Sequence, residues 1–253
     1  MPRDAKNQDL IIGRNAVAEA LRADRTIDTL YVLAGERAPA VRRLAAACRE
    51  SGAVVKEVDR KKLDTLCGGG VHQGVAAFTA AHDYASLSDI LAVAEARGEP
   101  PFVVVCDELE DPHNLGAVLR TAEAAGAHGV VIPKRRSAQL SATVAKTSAG
   151  ALEYIPVARV PNLPAALDEL KAHGCWVYGA DMDGTDYKKT DFSGGVALVV
   201  GAEGKGLGRL VREKCDFIVS LPMKGKINSL NASVAAGILL YEISSHRSLE
   251  AEV

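Results

Sequence analysis

Residues Val196–Glu242 read VALVVGAEGKGLGRLVREKCDFIVSLPMKGKINSLNASVAAGILLYE. Two short apolar runs of strand type, Val196–Val200 and Phe217–Leu221, each empty into a backbone-rich loop. The first meets the glycine cluster Gly201, Gly204, Gly206 and Gly208, and the second meets Pro222-Met223-Lys224-Gly225. Asn228-Ser229-Leu230-Asn231 then opens an apolar helix that runs to about Glu242. Ligands of α/β sheets sit beyond the carboxyl ends of strands, and glycines let main-chain groups approach a ligand closely. A single glycine reads as an ordinary tight turn. Four of them, followed by a polar cluster at a helix start, point to a small-molecule site.

Two familiar phosphate motifs are excluded. Gly204 and Gly206 begin a dinucleotide fingerprint, but Arg209 stands where its third glycine belongs. Gly201 and Gly206 have P-loop spacing, but Leu207 occupies the lysine position. A nicotinamide-dependent dehydrogenase is thereby disfavoured.

Outward from this stretch, strand and helix patterns alternate. The apolar run Phe102–Cys106 ends in Asp107-Glu108-Leu109-Glu110-Asp111-Pro112-His113 and leads to a helix over Leu115–Ala125, which Asn114 can cap and Gly126 stops. Strands follow at Val130–Ile132, Ile155–Val157 and Cys175–Ala180, with helices over about Ser141–Leu152, Pro164–His173 and Leu207–Lys214. This order predicts an α/β fold, a mostly parallel sheet with helices on both faces. Upstream, residues 1–80 carry their own patterns: a helix through about Arg22, a helix over Pro39–Ser51, and strands at Leu30–Leu33, Ala53–Val58 and Gly74–Thr79. The boundaries drawn are a small N-terminal α/β domain at 1–80, a linker at 81–101 that holds one helix and ends in Gly98-Glu99-Pro100-Pro101, and a second domain at 102–253.

The blocks DELEDPHNLGAVLRTAEAAG (107–126), LVVGAEGKGL (198–207) and SLPMKGKINSLNASVAAGILLYE (220–242) resemble, in order, the three motifs of the SpoU branch of the SPOUT methyltransferases, also called the SpoU/TrmH family. These enzymes methylate RNA ribose 2′-hydroxyls with S-adenosylmethionine. The likeness covers residues 102–245, and the N-terminal part is similar to that family's substrate-binding extension. It is strongest to the RlmB-like branch, which acts on a guanosine of 23S ribosomal RNA. A tRNA 2′-O-methyltransferase and a non-catalytic assembly factor of the same fold are the alternatives. The resemblance implies a C-terminal trefoil knot, against the general rule that chains do not thread loops. It also implies a homodimer through the catalytic domain.

The polar groups available for chemistry in the three motifs are Asn114, Arg120, Glu203, Ser229 and Asn231. Arg120 interrupts an otherwise apolar helix face. The resemblance makes it the central catalytic group; a guanidinium is very hard to deprotonate, so steadying an alkoxide or gripping a phosphate suits it better than acting as a base. Glu203 is a candidate to hold Arg120 in place. Asn114, Ser229 and Asn231 read first as helix caps, and the resemblance adds substrate and cofactor contacts. By the same resemblance Gly201, Leu221, Met223 and Leu230, with Ser229 and Asn231, contact the cofactor. RNA contacts are expected at Arg14 and at Lys134-Arg135-Arg136, which follows a strand on the ligand edge; His72 is read as a loop histidine touching backbone or RNA. Arg60-Lys61-Lys62 reads as a solvated face. No spacing of His, Cys, Asp or Glu suggests a metal.

Composition constrains the partners. Net charge is −2, without global basic character, yet residues 1–80 hold 13 Lys and Arg against 10 Asp and Glu, and the remainder holds 17 against 22. Phosphate attraction is therefore expected mainly in the N-terminal part. The five cysteines are scattered, with no C-x-x-C pair, so neither zinc nor a redox dithiol is suggested. No run is apolar enough to span a bilayer and no signal peptide is seen, so the chain reads as cytoplasmic. The last helix is apolar on nearly every face, which calls for burial on several sides.

Overall fold

The computed structural model describes residues 10–226 and 229–251. Contacts divide the chain into two units: residues up to Asp83 together with 139–142, and Tyr84–Ala138 with the rest.

The first unit is built on a four-stranded sheet of order β1-β4-β2-β3. Its strands are β1 (Leu10–Ile12), β2 (Ile27–Leu33), β3 (Val54–Val58) and β4 (Val75–Thr79), interleaved with helices α1 (Arg14–Arg22), α2 (Pro39–Glu50) and α3 (Arg60–Leu66). Helix α2 forms because Pro39 presets its first turn and because Val41, Leu44, Ala45 and Cys48 recur at helical spacing. These four are buried with Val17, Leu30 and Val75 in one core. At ~2 kcal/mol for each fully buried large aliphatic chain, this face is the main support of the unit. The other face is covered by α3 through Leu63, packed with Val58 and Ala76. Strand β1 lies where the sequence suggests entry into a helix. Gly13, at φ 93°, breaks the chain there, and Leu10–Ile12 pairs antiparallel with Ala76–Phe78.

The second unit carries a six-stranded parallel sheet of order β10-β8-β9-β5-β6-β7. In chain order its elements are α4 (Leu87–Arg97), β5 (Phe102–Cys106), α5 (Pro112–Ala124), β6 (Gly129–Pro133), α6 (Ala142–Thr147), β7 (Val157–Val160), α7 (Leu163–Ala172), β8 (Cys175–Asp186), β9 (Gly195–Val200), α8 (Arg209–Lys214), β10 (Phe217–Ser220) and α9 (Ala232–Ala251). Strands β5 and β9 are buried on both faces, which is why they read as continuous apolar runs rather than alternating ones. One face of the sheet packs against α4, α7 and α8 in a core that holds Ile90, Val103, Val105, Leu167, Val177, Val199 and Val211. On the other side α5 packs against α9, and α9 against β9.

Three local readings change. From Tyr84 onward the expected linker is folded into the second unit: α4 starts on a capping box of Ser86 and Asp89, and its Leu87 and Ile90 are buried in the sheet's core. The helix expected over Ser141–Leu152 divides into α6 and a 3-10 turn at Ala151–Glu153. Strand β8 is longer than Cys175–Ala180. Its pairing with β10 jumps from Gly179 opposite Ile218 to Thr185 opposite Val219, so residues 180–184 bulge out between two paired stretches.

A polar clasp closes the amino end of β5. His128 is fully buried; its Nδ1 accepts from the Phe102 amide at 2.9 Å, so Nε2 carries the proton and donates to Glu99 Oε2 at 3.0 Å. Arg247 of α9 donates to the Pro100 carbonyl at 2.7 Å and to Glu99 at 3.3 Å. Burial pushes the His128 imidazole below its ordinary range; Glu99 opposes the shift and Arg247 adds to it.

Candidate active site

The carboxyl ends of β5 and β9 are adjacent in register, Cys106 opposite Val200, and each continues into a loop. After β9 the chain folds back on itself: Gly206 N donates to the Ala202 carbonyl at 3.0 Å. Gly201 is buried, and a Cβ added to it would overlap the Gly206 carbonyl and the Leu207 amide. Gly206 itself sits at φ 63°, which side chains rarely adopt. Gly201 therefore acts first on the shape of its own loop.

Three of the expected polar residues meet. Asn231 uses its side-chain Oδ1 to accept from the amides of Ser233 (2.9 Å) and Val234 (3.2 Å), which makes it the cap of α9. That fixes the amide orientation and turns Nδ2 outward, where it donates to Asn114 Oδ1 at 2.9 Å and to Glu203 Oε1 at 2.5 Å. Asn114 Nδ2 donates to the same Glu203 oxygen at 3.0 Å, and the Ala232 amide is its third donor at 3.3 Å. Glu203 Oε1 thus lies at the amino end of a 20-residue helix, where a carboxylate is favoured by the helix dipole. Among the described residues nothing donates to Oε2. A cavity of about 250 Å³ opens beside this network, lined by Glu108, Leu109, Glu110, Asp111, Asn114, Ala202, Glu203 and Lys205.

Asn114 is not the cap of α5. Pro112 occupies the first turn and Asp111 accepts from the His113 amide, so the helix starts earlier and Asn114 lies buried within it. Arg120 is exposed and stands apart from the network of its own chain, so the expected Glu203–Arg120 contact is not made within one subunit. Six residues along an α-helix turn a side chain by about 240°, so Asn114 and Arg120 on one helix cannot converge. Ser229, Met223 and Leu230 are exposed and Leu221 is half-buried; Asn228 lies outside the described residues.

The basic candidates divide as well. Arg136 is paired with Glu108 at 3.0 Å. Lys134 is held below its usual range by burial and then by the nearby Arg159 and Arg135. Arg159, outside the three motifs, stacks on Tyr84 at 4.1 Å. Arg14 is tied within the first unit, its Nε to the Gln73 carbonyl at 2.7 Å and Nη2 to Glu36 at 3.2 Å. His72 is buried: its Nδ1 accepts from the Gly74 amide and its Nε2 contacts Asp64, so it braces the turn after the triple glycine. Arg60 is exposed. Cys106 and Cys175 are core thiols, both pushed up to about 12 by burial. Among the described residues no cluster of three or more His, Cys, Asp or Glu is placed to hold a metal.

Two further groups lacked a sequence signal. Asp107, one residue past β5, accepts from the Gly208 amide at 2.7 Å. Arg212 of α8 reaches into the β8 bulge, to Asp181 at 2.6 Å and Asp183 at 3.0 Å.

Residues 101–241 match the SpoU rRNA methylase family. The chain belongs to that family. Residues 10–85 match the family domain described as RNA 2′-O ribose methyltransferase substrate binding. A Bacillus subtilis chain, YacO, named as a TrmH family tRNA/rRNA methyltransferase, is 50% identical over 244 residues, 96% of this chain and 98% of that one. Among solved SpoU structures, the AviRb methyltransferase of Streptomyces viridochromogenes in complex with AdoMet superposes with a TM-score of 0.61 at 26% identity, covering 95% of this chain and 90% of that one. An AdoMet-bound rRNA methyltransferase from Sinorhizobium meliloti gives 0.58 at 29% identity, over 94% and 87%. The SpoU motifs of this chain are the segments that build the Asn114–Glu203–Asn231 network.

Proposed function

We propose that this chain transfers the methyl group of S-adenosylmethionine to a ribose 2′-hydroxyl of RNA, with a guanosine of 23S ribosomal RNA as the favoured target. The observation that carries the reading is the convergence of Asn114, Glu203 and Asn231 beside the glycine loop at the carboxyl edge of a parallel sheet. The residues fit the donor: a loop without room for a side chain at Gly201 presents main-chain groups, and Leu221, Met223 and Leu230 leave apolar surface uncovered. These residues, with Ser229, would hold the donor. When bound, it supplies an electrophilic methyl on a sulfonium.

The chain's own groups orient the acceptor. Glu203 is fixed through Oε1 and offers Oε2 to the 2′-hydroxyl, and Asn114 is held rigid between two partners. Alignment of nucleophile and methyl supplies much of the rate. None of the three hydrogen-bonded side chains of the network is a cation; Lys205 lines the adjoining cavity, and Arg120 is exposed on α5 beside α9. A second subunit completes the site in this reading. Val234, Ile238 and Tyr241 are 50%, 39% and 57% exposed and fall on one stripe of α9 by their i, i+4, i+7 spacing. Pairing of these stripes in a homodimer brings the partner's arginine to each network. The trefoil knot belongs to the same reading, as does RNA selection by the first unit.

The name of the Bacillus subtilis relative couples tRNA with rRNA, which supports tRNA as the second reading. Incubation with labelled donor and total cellular RNA, then fractionation and mapping, separates the two. Label in a 23S guanosine carries the first; label confined to tRNA replaces it with the second; absence of transfer with donor bound favours a non-catalytic assembly factor.

A further inference from the structure

The loop Gly201–Gly208 owes little of its shape to its own side chains, since half its positions are glycine. Internally it has the Gly206-to-Ala202 bond. Its two ends are fixed by one residue outside it. The backbone amide of Asp107 donates to the Val200 carbonyl at 2.8 Å, extending the β5–β9 ladder by one step just before the loop begins. The side-chain Oδ2 of Asp107 accepts from the Gly208 amide at 2.7 Å, where the loop ends. Asp107 therefore spans the mouth of the loop.

The same residue opens the segment Glu108–Asp111, which lines the cavity beside Glu203. Asp107 is only 4% exposed, and among the described residues it has no ion-pair partner. Burial pushes its carboxyl up, and the Gly208 amide pulls it back. A buried carboxylate is costly, and what this one does is set the distance between two loop ends.

We propose that Asp107 is a positioning residue for the donor, acting through Gly208 to hold the glycine loop in its binding shape. The inference rests on the reading of this loop as the S-adenosylmethionine site. Asp107 touches neither donor nor ribose in this scheme. Its loss therefore appears in donor affinity and not in the rate of the saturated enzyme.

The test uses the full chain, with donor affinity by calorimetry and methyl transfer to ribosomal RNA across donor concentrations. Asp107→Ala leaves the Gly208 amide without its acceptor. It is expected to raise donor Kd and KM about tenfold while kcat at saturating donor stays within about threefold of wild type. Asp107→Asn keeps an acceptor oxygen of the same reach and restores both constants to within about threefold. Gly208→Ala perturbs the contact from the loop side and from an exposed position, since its Cβ would lie 3.1 Å from Asp107 Oδ2. It is expected to raise donor KM even where Asp107→Ala fails to fold. A purely structural residue would lower the thermal midpoint with donor Kd unchanged. That result, or a kcat loss that saturating donor does not reverse, overturns the proposal. Wild-type protein without donor affinity overturns the reading of the loop itself, and the proposal with it.

Discussion

Asn231 Nδ2 donates to Asn114 Oδ1 at 2.9 Å across 117 positions of sequence, and the same Asn231 caps α9 through its own Oδ1. One side chain thus serves helix formation with its acceptor and the Asn114–Glu203 network with its donor.

The two duties separate by substitution. Asn231→Ala is expected to cost about 1 kcal/mol from the lost cap and to abolish the network. Asn231→Ser keeps a capping oxygen but has no amide to donate. It should unfold near the wild-type midpoint in urea while methyl transfer falls about a hundredfold. Recovery of activity together with stability would show that the amide has no catalytic part.

Arg120→Ala should lower kcat with donor Kd unchanged, and Arg120→Lys should be nearly as damaging because lysine lacks the planar fork. Mixed dimers test whether the arginine crosses subunits. Arg120→Ala and Glu203→Gln, each inactive alone, should together recover about a quarter of wild-type turnover, because about half the dimers are mixed and each mixed dimer has one intact site. No recovery would place Arg120 in its own chain's site or outside catalysis.

Ile238→Glu or Tyr241→Glu puts a charge in the exposed stripe of α9. Sedimentation at micromolar concentration should give a dimer for wild type and a monomer for the variants, with methyl transfer lost in step. A wild-type monomer at that concentration would end the dimer reading.

The buried clasp predicts a pH dependence of stability. His128 has a lowered pKa in the fold, so near and below the ordinary imidazole value the unfolded chain binds a proton that the folded chain refuses. Stability is therefore present above about pH 6.5 and falls as the pH drops through that value. Urea midpoints measured from pH 7.5 to 5 should decline for wild type and less steeply for His128→Gln. Equal slopes would remove His128 as the cause.

A chain beginning at Tyr84 keeps α4 and should bind donor while losing most activity on ribosomal RNA. One beginning at Pro100 lacks Leu87 and Ile90 of the core and should also melt at lower temperature. Residual RNA binding of the Tyr84 chain should show a shallower salt dependence than the intact protein. Full activity in that chain would assign RNA selection to the second unit.

The sheet was legible because β5 and β9 are continuous apolar runs ending in glycines and carboxylates. Asn231 was legible twice over, as a cap and as a motif residue. The expected Glu203–Arg120 contact is absent within one chain because adjacency on a motif list carries no helix geometry; Asn114 and Arg120 point to different sides of α5. Asp107 gave no signal, since a single aspartate after a strand resembles any loop carboxylate until its partner, 101 positions away, is known. The β8 bulge and strand β1 were missed for a related reason. Each depends on a neighbouring strand rather than on a local period.

The network's span has a further consequence, for assembly. Its members come from α5, the loop after β9 and the cap of α9, and β5 pairs with β9 across 94 positions of sequence. Such long-range closure makes folding slow, and no early fragment can hold the motif loops together. During synthesis the Asn114–Glu203–Asn231 network therefore cannot close until α9 has left the ribosome and docked against α5, so it arrives in one late step.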